Sequence, residues 1–125
     1  MTFTNCPFCN IDEQRIIAEN DLVMAIKDGF PVNPGHMLII PKRHVSDYFK
    51  LDEAEKQALW SMADYCKTII ENIHKPDGYN IGINIGTAAG QSIPHVHLHL
   101  IPRYAGDTPN PRGGVRGVIP SKQNY

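Results

Sequence analysis

Long apolar runs and an excess of charge of either sign are both missing from this sequence. A membrane-spanning helix needs about 20 consecutive apolar residues, and no run approaches that length. Twelve basic and 13 acidic side chains give a net charge of −1, so no general attraction to nucleic acid or anionic lipid is expected. The first residues lack the basic flank and apolar core of a secretion signal. We therefore expect a cytoplasmic protein without a nucleic-acid or membrane partner.

Cysteine is also scarce. The three cysteines are an odd number, which argues against a disulfide framework. The 125 residues are 42% apolar and 20% charged, as in an ordinary soluble domain with a single core. We expect residues 1–125 to form one domain, in which the Gly- and Pro-rich residues 104–125 run as a strap along the surface.

Histidine, in contrast, recurs at every second position within residues 91–103. The histidines are His95, His97 and His99, and the residues between them are Val96, Leu98 and Leu100. Alternate side chains of a strand point to opposite faces, so the imidazoles are predicted to share one face while the aliphatic residues are buried on the other. Three interpretations follow: the wet face of a half-buried strand, a zinc site built on His-x-His, or a nucleophilic site whose middle ring attacks.

The segment His95–Ile101 resembles the His-φ-His-φ-His-φ-φ signature of the histidine triad (HIT) superfamily of nucleotide hydrolases and transferases. Asp28 followed by Pro34–His44 resembles a second family block, and Asn84 with Gly90–Ser92 extends the match over roughly residues 6–103. The chain is identified as a member of this superfamily. The resemblance implies an α+β fold, an antiparallel sheet of about five strands with one long helix packed on it.

The resemblance also implies covalent catalysis on a nucleotide. The middle histidine is the family's nucleophile, so His97 would attack an α-phosphorus and form a nucleotidyl–histidine intermediate that water releases. His99 would bind the phosphate oxygens, Ser92 would donate to the phosphate or the leaving group, and His36 would orient the histidine row. The substrate-binding residues implied are Asp28, Asn84, Gly90, Gln91 and His99. No metal is required for this chemistry.

The substrate is expected to be a dinucleoside polyphosphate of the diadenosine type, since Pro102-Arg103 followed by Ala105–Asp107 resembles that hydrolase branch. Asn84 instead resembles the phosphoramidase branch, so a nucleoside phosphoramidase or a nucleotide phosphorylase or transferase stays open. A non-catalytic nucleotide-binding module is the alternative from another class. The resemblance further implies a homodimer, for which Trp60 or a sheet edge offers a contact.

Residues 6–9, Cys-Pro-Phe-Cys, are typical of a zinc knuckle or a redox pair. A thioredoxin-type pair needs a preceding strand, which five leading residues cannot supply. Zinc needs two further ligands, for which His44, His74 and His95 are the candidates. In some bacterial HIT proteins the first triad histidine and the Pro-x-x-His histidine complete such a knuckle. The resemblance thus implies structural zinc bound by Cys6, Cys9, His44 and His95, with two reduced surface thiols as the alternative.

The remaining elements follow from local pattern. Strands are predicted over residues 15–20, 22–27, 36–40 and 79–85, with the triad segment as the fifth. A helix is predicted from about Glu53 to about His74, because Asp52 and Glu55 have the capping-box form and Pro76 stops it. Cys66 falls within its buried stripe. The helix and sequential hairpins together indicate the α+β class.

Two segments without regular pattern carry candidate phosphate contacts. Residues 86–92 have small side chains and are predicted to leave backbone N–H groups open to an anion. In the strap, Arg112 and Arg116 are expected to be solvated; the alternative is that one guanidinium reaches a polyphosphate.

Overall fold

The structure is a computed structural model that describes residues 5–125, so the first four residues of the predicted domain lie outside it. Five strands and one long helix account for its regular structure. They are β1 (Ile16–Glu19), β2 (Val23–Lys27), β3 (Met37–Pro41), α1 (Glu53–Ile73), β4 (Gly78–Ile83) and β5 (Leu98–Arg103). All strand pairs are antiparallel, in the order β1-β2-β3-β5-β4. The predicted α+β architecture is confirmed. Within residues 5–125, no helix combines the length and apolar character needed to cross a membrane.

Helix α1 begins and ends within one residue of the predicted bounds. The Asp52 side chain accepts a hydrogen bond from the Glu55 N–H at 2.8 Å, and the Glu55 side chain accepts one from the Asp52 N–H at 3.1 Å, which completes the capping box. At the other end, Lys75 takes a left-handed conformation (φ 52°) directly before Pro76. Cys66 is fully buried in the helix stripe, and burial raises the pKa of its thiol to about 11.

The two faces of the sheet are covered differently. Helix α1 packs on one face, where Leu98 and Leu100 of β5 join the larger apolar cluster. The other face carries Ile26, Leu38 and Ile40 of β2 and β3, and the N-terminal segment covers it through a second cluster that includes Phe8. Because side chains alternate along β5, the odd-numbered residues from His99 onward lie on this second face.

Strands that follow one another without α1 between them form the predicted antiparallel hairpins, β1–β2, β2–β3 and β4–β5. Residue Leu38 of β3 pairs with His99 of β5, not with β4, which lies at the sheet edge. Both β3 and β4 are antiparallel to β5 and therefore parallel to each other, so the chain between them, which contains α1, is a crossover connection. Strand β5 lies between β3 and β4, so His36, the residue directly before β3, lies beside the histidine triad.

The prediction that all three histidines lie on one strand is wrong in extent. Strand β5 begins only at Leu98. Before it, the Val96 N–H donates to the Val45 carbonyl at 2.7 Å, outside the sheet ladder, while Pro94 has no N–H to offer. His95 and His97 therefore lie on a connecting segment, and their rings are free to take different directions.

Candidate active site and metal centre

His97 lies directly before β5, and its two ring nitrogens have different surroundings. Its Nδ1 is 2.8 Å from the backbone carbonyl oxygen of His95. A carbonyl only accepts, so Nδ1 carries the proton and Nε2 of the neutral ring keeps its lone pair. No residue in the described part of the chain hydrogen-bonds to that Nε2. The ring of Phe8 packs against the His97 ring, and the two ring centroids are 5.0 Å apart.

His99, His36 and Asp28 form a hydrogen-bonded chain next to His97. The backbone N–H of Val32 donates to His36 Nδ1 at 3.0 Å, which excludes a proton on that nitrogen and hence the imidazolium. The proton is on His36 Nε2, which lies 3.0 Å from His99 Nδ1 and 3.2 Å from Asp28 Oδ2. Since His99 Nδ1 accepts, the other nitrogen of His99, Nε2, carries a proton to donate.

Burial favours the neutral form of the two histidines in this chain. It is the main cause that lowers the pKa of His99 to about 4, and the nearby His97 and His36 lower it further, against the Asp28 carboxylate. Burial likewise lowers the pKa of His36, again opposed by Asp28. The direction agrees with the neutral tautomer that the Val32 N–H imposes on His36.

Asp28, His36 and His99 also lie close enough together to hold a metal ion. However, the 3.0 Å between the two ring nitrogens is a hydrogen-bond distance, whereas two nitrogen ligands of tetrahedral zinc are about 3.4 Å apart. This group therefore fits a proton-sharing chain better than a metal centre.

Asn84 and Gly90 are brought together opposite His97. Ile83 pairs with Leu98 across β4 and β5, so continuing that register by one residue sets Asn84 at the level of His97. A Cβ at Gly90, where φ is +93°, would lie 3.9 Å from Asn84 Nδ2. The two predicted substrate-binding residues thus flank one spot at the start of β5.

The loop of residues 86–92 is less open to an anion than predicted. The N–H groups of Ala89, Gly90 and Gln91 all donate to loop carbonyls, and the Gly86 N–H donates to Gln91 Oε1 at 2.8 Å. The Gln91 amide in turn donates to the carbonyls of Ser46 and Ile93. Gln91 therefore holds the loop in shape, while Ser92 beside it is exposed. The prediction that Gln91 and Ser92 contact substrate stays a prediction.

The cysteines of the N-terminal knuckle meet two histidines. The four side chains are Cys6, Cys9, His44 and His95, whose ligand atoms all lie within 4.8 Å of one another. His95 Nδ1 is 3.4 Å from Cys6 Sγ and 3.6 Å from Cys9 Sγ, and His44 Nδ1 is 3.2 Å from Cys9 Sγ. The other candidate, His74, is exposed at the end of α1, away from this cluster.

The chemistry of this cluster fits zinc. Sulfur and nitrogen ligands of a tetrahedral zinc are about 3.6 Å apart, close to the separations found here. The Nε2–H of His95 donates to the Pro41 carbonyl at 2.8 Å, which leaves Nδ1 unprotonated and fixed toward the sulfurs. Burial lowers the pKa of His95, so the ring stays neutral as a ligand must.

Three groups that support the histidines were not predicted from the sequence. Val32 fixes the tautomer of His36 through its N–H, Pro41 fixes that of His95 through its carbonyl, and Phe8 packs its ring against both His95 and His97. The first two act through backbone atoms and have no residue-type signal. Phe8 had one: it stands between the two cysteines of the knuckle.

The strap is more ordered than the prediction of a plain surface loop. It contains two short 3-10 turns, Gly114–Val118 and Pro120–Lys122. Arg112 and Arg116 both lie over the ring of Tyr125, with guanidinium carbons 5.1 and 4.8 Å from its centroid. These arginines are held within the strap by cation–π contacts.

Known proteins share this fold and its motifs. The family described as "HIT domain" matches residues 10–106. An AP-4-A phosphorylase from Mycobacterium tuberculosis is 37% identical over 106 residues, which cover 84% of this chain and 54% of that protein. The chain thus spans about half the length of this relative.

Two solved structures are similar in both fold and sequence. A HIT family protein from Bacillus anthracis superposes with a TM-score of 0.77 at 36% identity, covering 85% of this chain and 78% of that one. A Zn-bound histidine triad family protein from Mycobacterium smegmatis gives 0.75 at 32% identity, covering 85% and 80%. The chain belongs to the HIT family.

Proposed function

We propose that the protein cleaves dinucleoside polyphosphates of the diadenosine type at an α-phosphorus, through a covalent nucleotidyl–His97 intermediate, and that it does so as a hydrolase. The observation that carries the proposal is the 2.8 Å contact between His97 Nδ1 and the His95 carbonyl. It leaves Nε2 with a lone pair, the requirement for a nucleophile.

The first step forms an Nε2–phosphorus bond and breaks the bridging P–O bond, so the leaving polyphosphate takes the electron pair. Negative charge grows on the non-bridging oxygens, and we assign the Nε2–H of His99 as their donor, because its Nδ1 is occupied by His36. The neutral His36, held by Val32 and Asp28, keeps His99 in that tautomer. Water then attacks the phosphorus, the N–P bond breaks, and the ring regains its lone pair.

Binding of the nucleotide uses the groups around this centre. Asp28 is partly exposed at the end of β2, where its second carboxylate oxygen accepts from the Phe30 N–H. We assign its carboxylate to the ribose hydroxyls, and Asn84, Gly90 and Ser92 to the phosphate. Gln91 contributes by holding the loop that presents Gly90.

The cluster of Cys6, Cys9, His44 and His95 would hold a structural zinc ion. The metal, when bound, supplies cross-linking of the N-terminal segment to the sheet. With four protein ligands the site is closed, so it leaves no position for substrate. The chain's own residues carry the reaction, and His95 contributes its backbone carbonyl to His97.

The proposal is tested by rapid mixing with a dinucleotide labelled in an α-phosphate, followed by quenching in alkali and peptide mapping. An acid-labile label on His97 that forms and decays at the rate of turnover is expected. A protein that binds nucleotide without label or turnover would be the binding module of the alternative class.

A phosphorylase is the second candidate, because the Mycobacterium tuberculosis relative carries that name. The two reactions share the first step and differ in the acceptor, which is water in one and inorganic phosphate in the other. Product analysis with and without phosphate separates them: a hydrolase releases the nucleoside monophosphate in both cases, and a phosphorylase releases the nucleoside diphosphate when phosphate is present. Adding a nucleoside phosphoramidate to the panel tests the remaining branch.

A further inference from the structure

A groove of about 340 Å³ lies beyond His99 on the same face of the sheet. Its floor is formed by Asn80, Ile101 and Arg103 of β4 and β5, and these residues follow His99 along that face. One wall is the loop with Val32 and Asn33, and the other is the strap with Val115. The residues that line this groove are not among those proposed to bind the α-phosphate or the metal.

The polar groups of the groove are fixed in advance by an ion pair. Arg103 makes two hydrogen bonds to Asp107, through Nε at 2.8 Å and Nη2 at 2.7 Å, and a third from Nη1 to Asn80 Oδ1 at 2.6 Å. Asp107 also accepts from Asn33 Nδ2 at 2.7 Å. These bonds hold the pKa of the Asp107 carboxyl well below its usual range and keep it charged.

This network leaves one donor and one acceptor unused. Asn80 Oδ1 is engaged by Arg103, so its Nδ2 group is available to donate. Asn33 Nδ2 donates to both Asp107 and the Pro102 carbonyl, so its Oδ1 is available to accept. No described residue is a partner of either atom. The donor and the acceptor lie on the two sides of the Arg103–Asp107 pair, and each can form one hydrogen bond with a polar atom of a nucleoside.

Two apolar side chains also line the groove. Val32 is 64% exposed and Val115 is 66% exposed, although both line the groove. Ligand sites for flat aromatic groups combine apolar walls with a few fixed polar atoms. The two valines supply the first, and the two asparagines supply the second.

The spacing along β5 matches the other half of a dinucleotide. Ile101 and Arg103 are two and four residues beyond His99, hence about 7 and 13 Å away along the strand. A polyphosphate arm that starts beside His97 and His99 reaches this distance. We propose that the groove binds the leaving nucleoside through the apolar surface of Val32 and Val115 and through hydrogen bonds to Asn33 and Asn80. This inference deepens the proposed function and rests on it for the identity of the substrate.

Equilibrium binding tests the groove without relying on turnover. The probe is a dinucleoside tetraphosphate whose α,β-bridging oxygens are replaced by methylene, and AMP, which has only one nucleoside, is the reference. The variant V115W fills the groove from the strap side, and V118W, on the same 3-10 turn but outside the groove, is the matched control. We expect V115W to raise the ratio of the dinucleotide Kd to the AMP Kd about tenfold and V118W to leave it within twofold.

A second variant addresses the hydrogen bonds. N80D keeps an oxygen for Arg103 and replaces the Nδ2 donor with an acceptor, so the fold is kept while the nucleoside loses its partner. The same ratio should rise about tenfold. An unchanged ratio in both V115W and N80D would overturn the inference, as would wild-type protein that binds the dinucleotide no more tightly than AMP.

The nucleoside subsite and the proposed reaction are tested independently of each other. If the ratio changes as expected but no dinucleotide is turned over, the subsite stands and the proposed reaction is wrong. If dinucleotides are turned over through labelled His97 and the ratio does not change, the reaction stands and the subsite is wrong.

Discussion

His95 and His97 are two residues apart, yet they expose opposite nitrogens. His95 gives its Nε2–H to the Pro41 carbonyl and turns Nδ1 toward two sulfurs. His97 gives its Nδ1–H to the His95 carbonyl and keeps Nε2 unbound. In each ring a carbonyl oxygen, and not the histidine pattern itself, decides which nitrogen is left for the role that we propose, a ligand in His95 and a nucleophile in His97.

The neighbours of each ring extend the contrast. Around His95, two thiols and a second nitrogen, that of His44, converge, as a closed tetrahedral site requires. Around His97 stand a neutral histidine pair and a carboxylate, which share protons but lack the sulfur ligands. We expect variants to separate the two regions, one by loss of turnover and the other by loss of metal and stability.

The largest effect is expected for H97A. Removing the nucleophile should lower kcat/KM for the dinucleotide by at least about 10³-fold, because no other ring offers an unbound nitrogen at the phosphorus. AMP affinity should change little. The exposed Asn72 on α1 provides the control, N72A, with unchanged kinetics. Steady-state turnover and calorimetric binding measure both, and an H97A protein with more than a tenth of wild-type turnover contradicts the assignment.

The metal region should respond to C9S. We expect loss of bound zinc and a decrease of about 3 kcal/mol in the free energy of unfolding, since the N-terminal segment is no longer cross-linked to the sheet. C66A removes a buried thiol outside the cluster, so it should lower stability modestly and leave the zinc content unchanged. Elemental analysis and urea unfolding give both values. Stoichiometric zinc in C9S, or its loss in C66A, would refute the ligand set.

The lowered pKa of His99 makes the free energy of unfolding depend on pH. The pKa of His99 is about 4 in the folded protein and 6.5 when unfolded, so the unfolded state binds more protons between these values. The free energy of unfolding should therefore fall as the pH falls from 6.5 to 4, by about 2–3 kcal/mol for this ring. H99N should lack this part of the slope. Urea unfolding at fixed pH values measures it, and equal slopes for both proteins would argue against a buried neutral His99.

A smaller effect is expected for D28N. The amide keeps the shape of Asp28 but removes the charge beside His36, and it weakens acceptance from the ribose. We expect kcat/KM to fall about 10- to 100-fold, as for the loss of a charged hydrogen-bond acceptor. The exposed Asp21 gives the control D21N, which should behave as wild type. A D28N protein with wild-type kcat/KM would remove Asp28 from the site.

Much of the fold could be predicted from the sequence, because its signals are local. The capping residues of α1 are close together in the chain, and they gave helix bounds within one residue. The alternation that predicted β2 and β5 is local in the same way. The position of β5 between β3 and β4 depends on contacts between strands that are distant in the chain, and the local pattern does not encode them. The strand start at Leu98 was missed for a similar reason, since the Val45 carbonyl that draws Val96 out of the ladder is distant in sequence.

The site divides in the same way. The metal set and the histidine chain could be predicted from motifs, and the structure brings both groups of residues together. The groups that set the tautomers, Val32 and Pro41, act through backbone atoms that any residue type could supply. The use of Gln91 inside its own loop was also out of reach, because a glutamine beside a glycine-rich loop looks the same whether it faces the loop or a ligand.

The central claim concerns where the protons sit, and long-range ¹H–¹⁵N correlation spectra of the histidine rings measure it directly. The account predicts at neutral pH that His97 carries its proton on Nδ1, and that His36, His95 and His99 carry theirs on Nε2. A His97 ring protonated on Nε2, or one whose Nε2 shows the shift of a metal ligand, would contradict it.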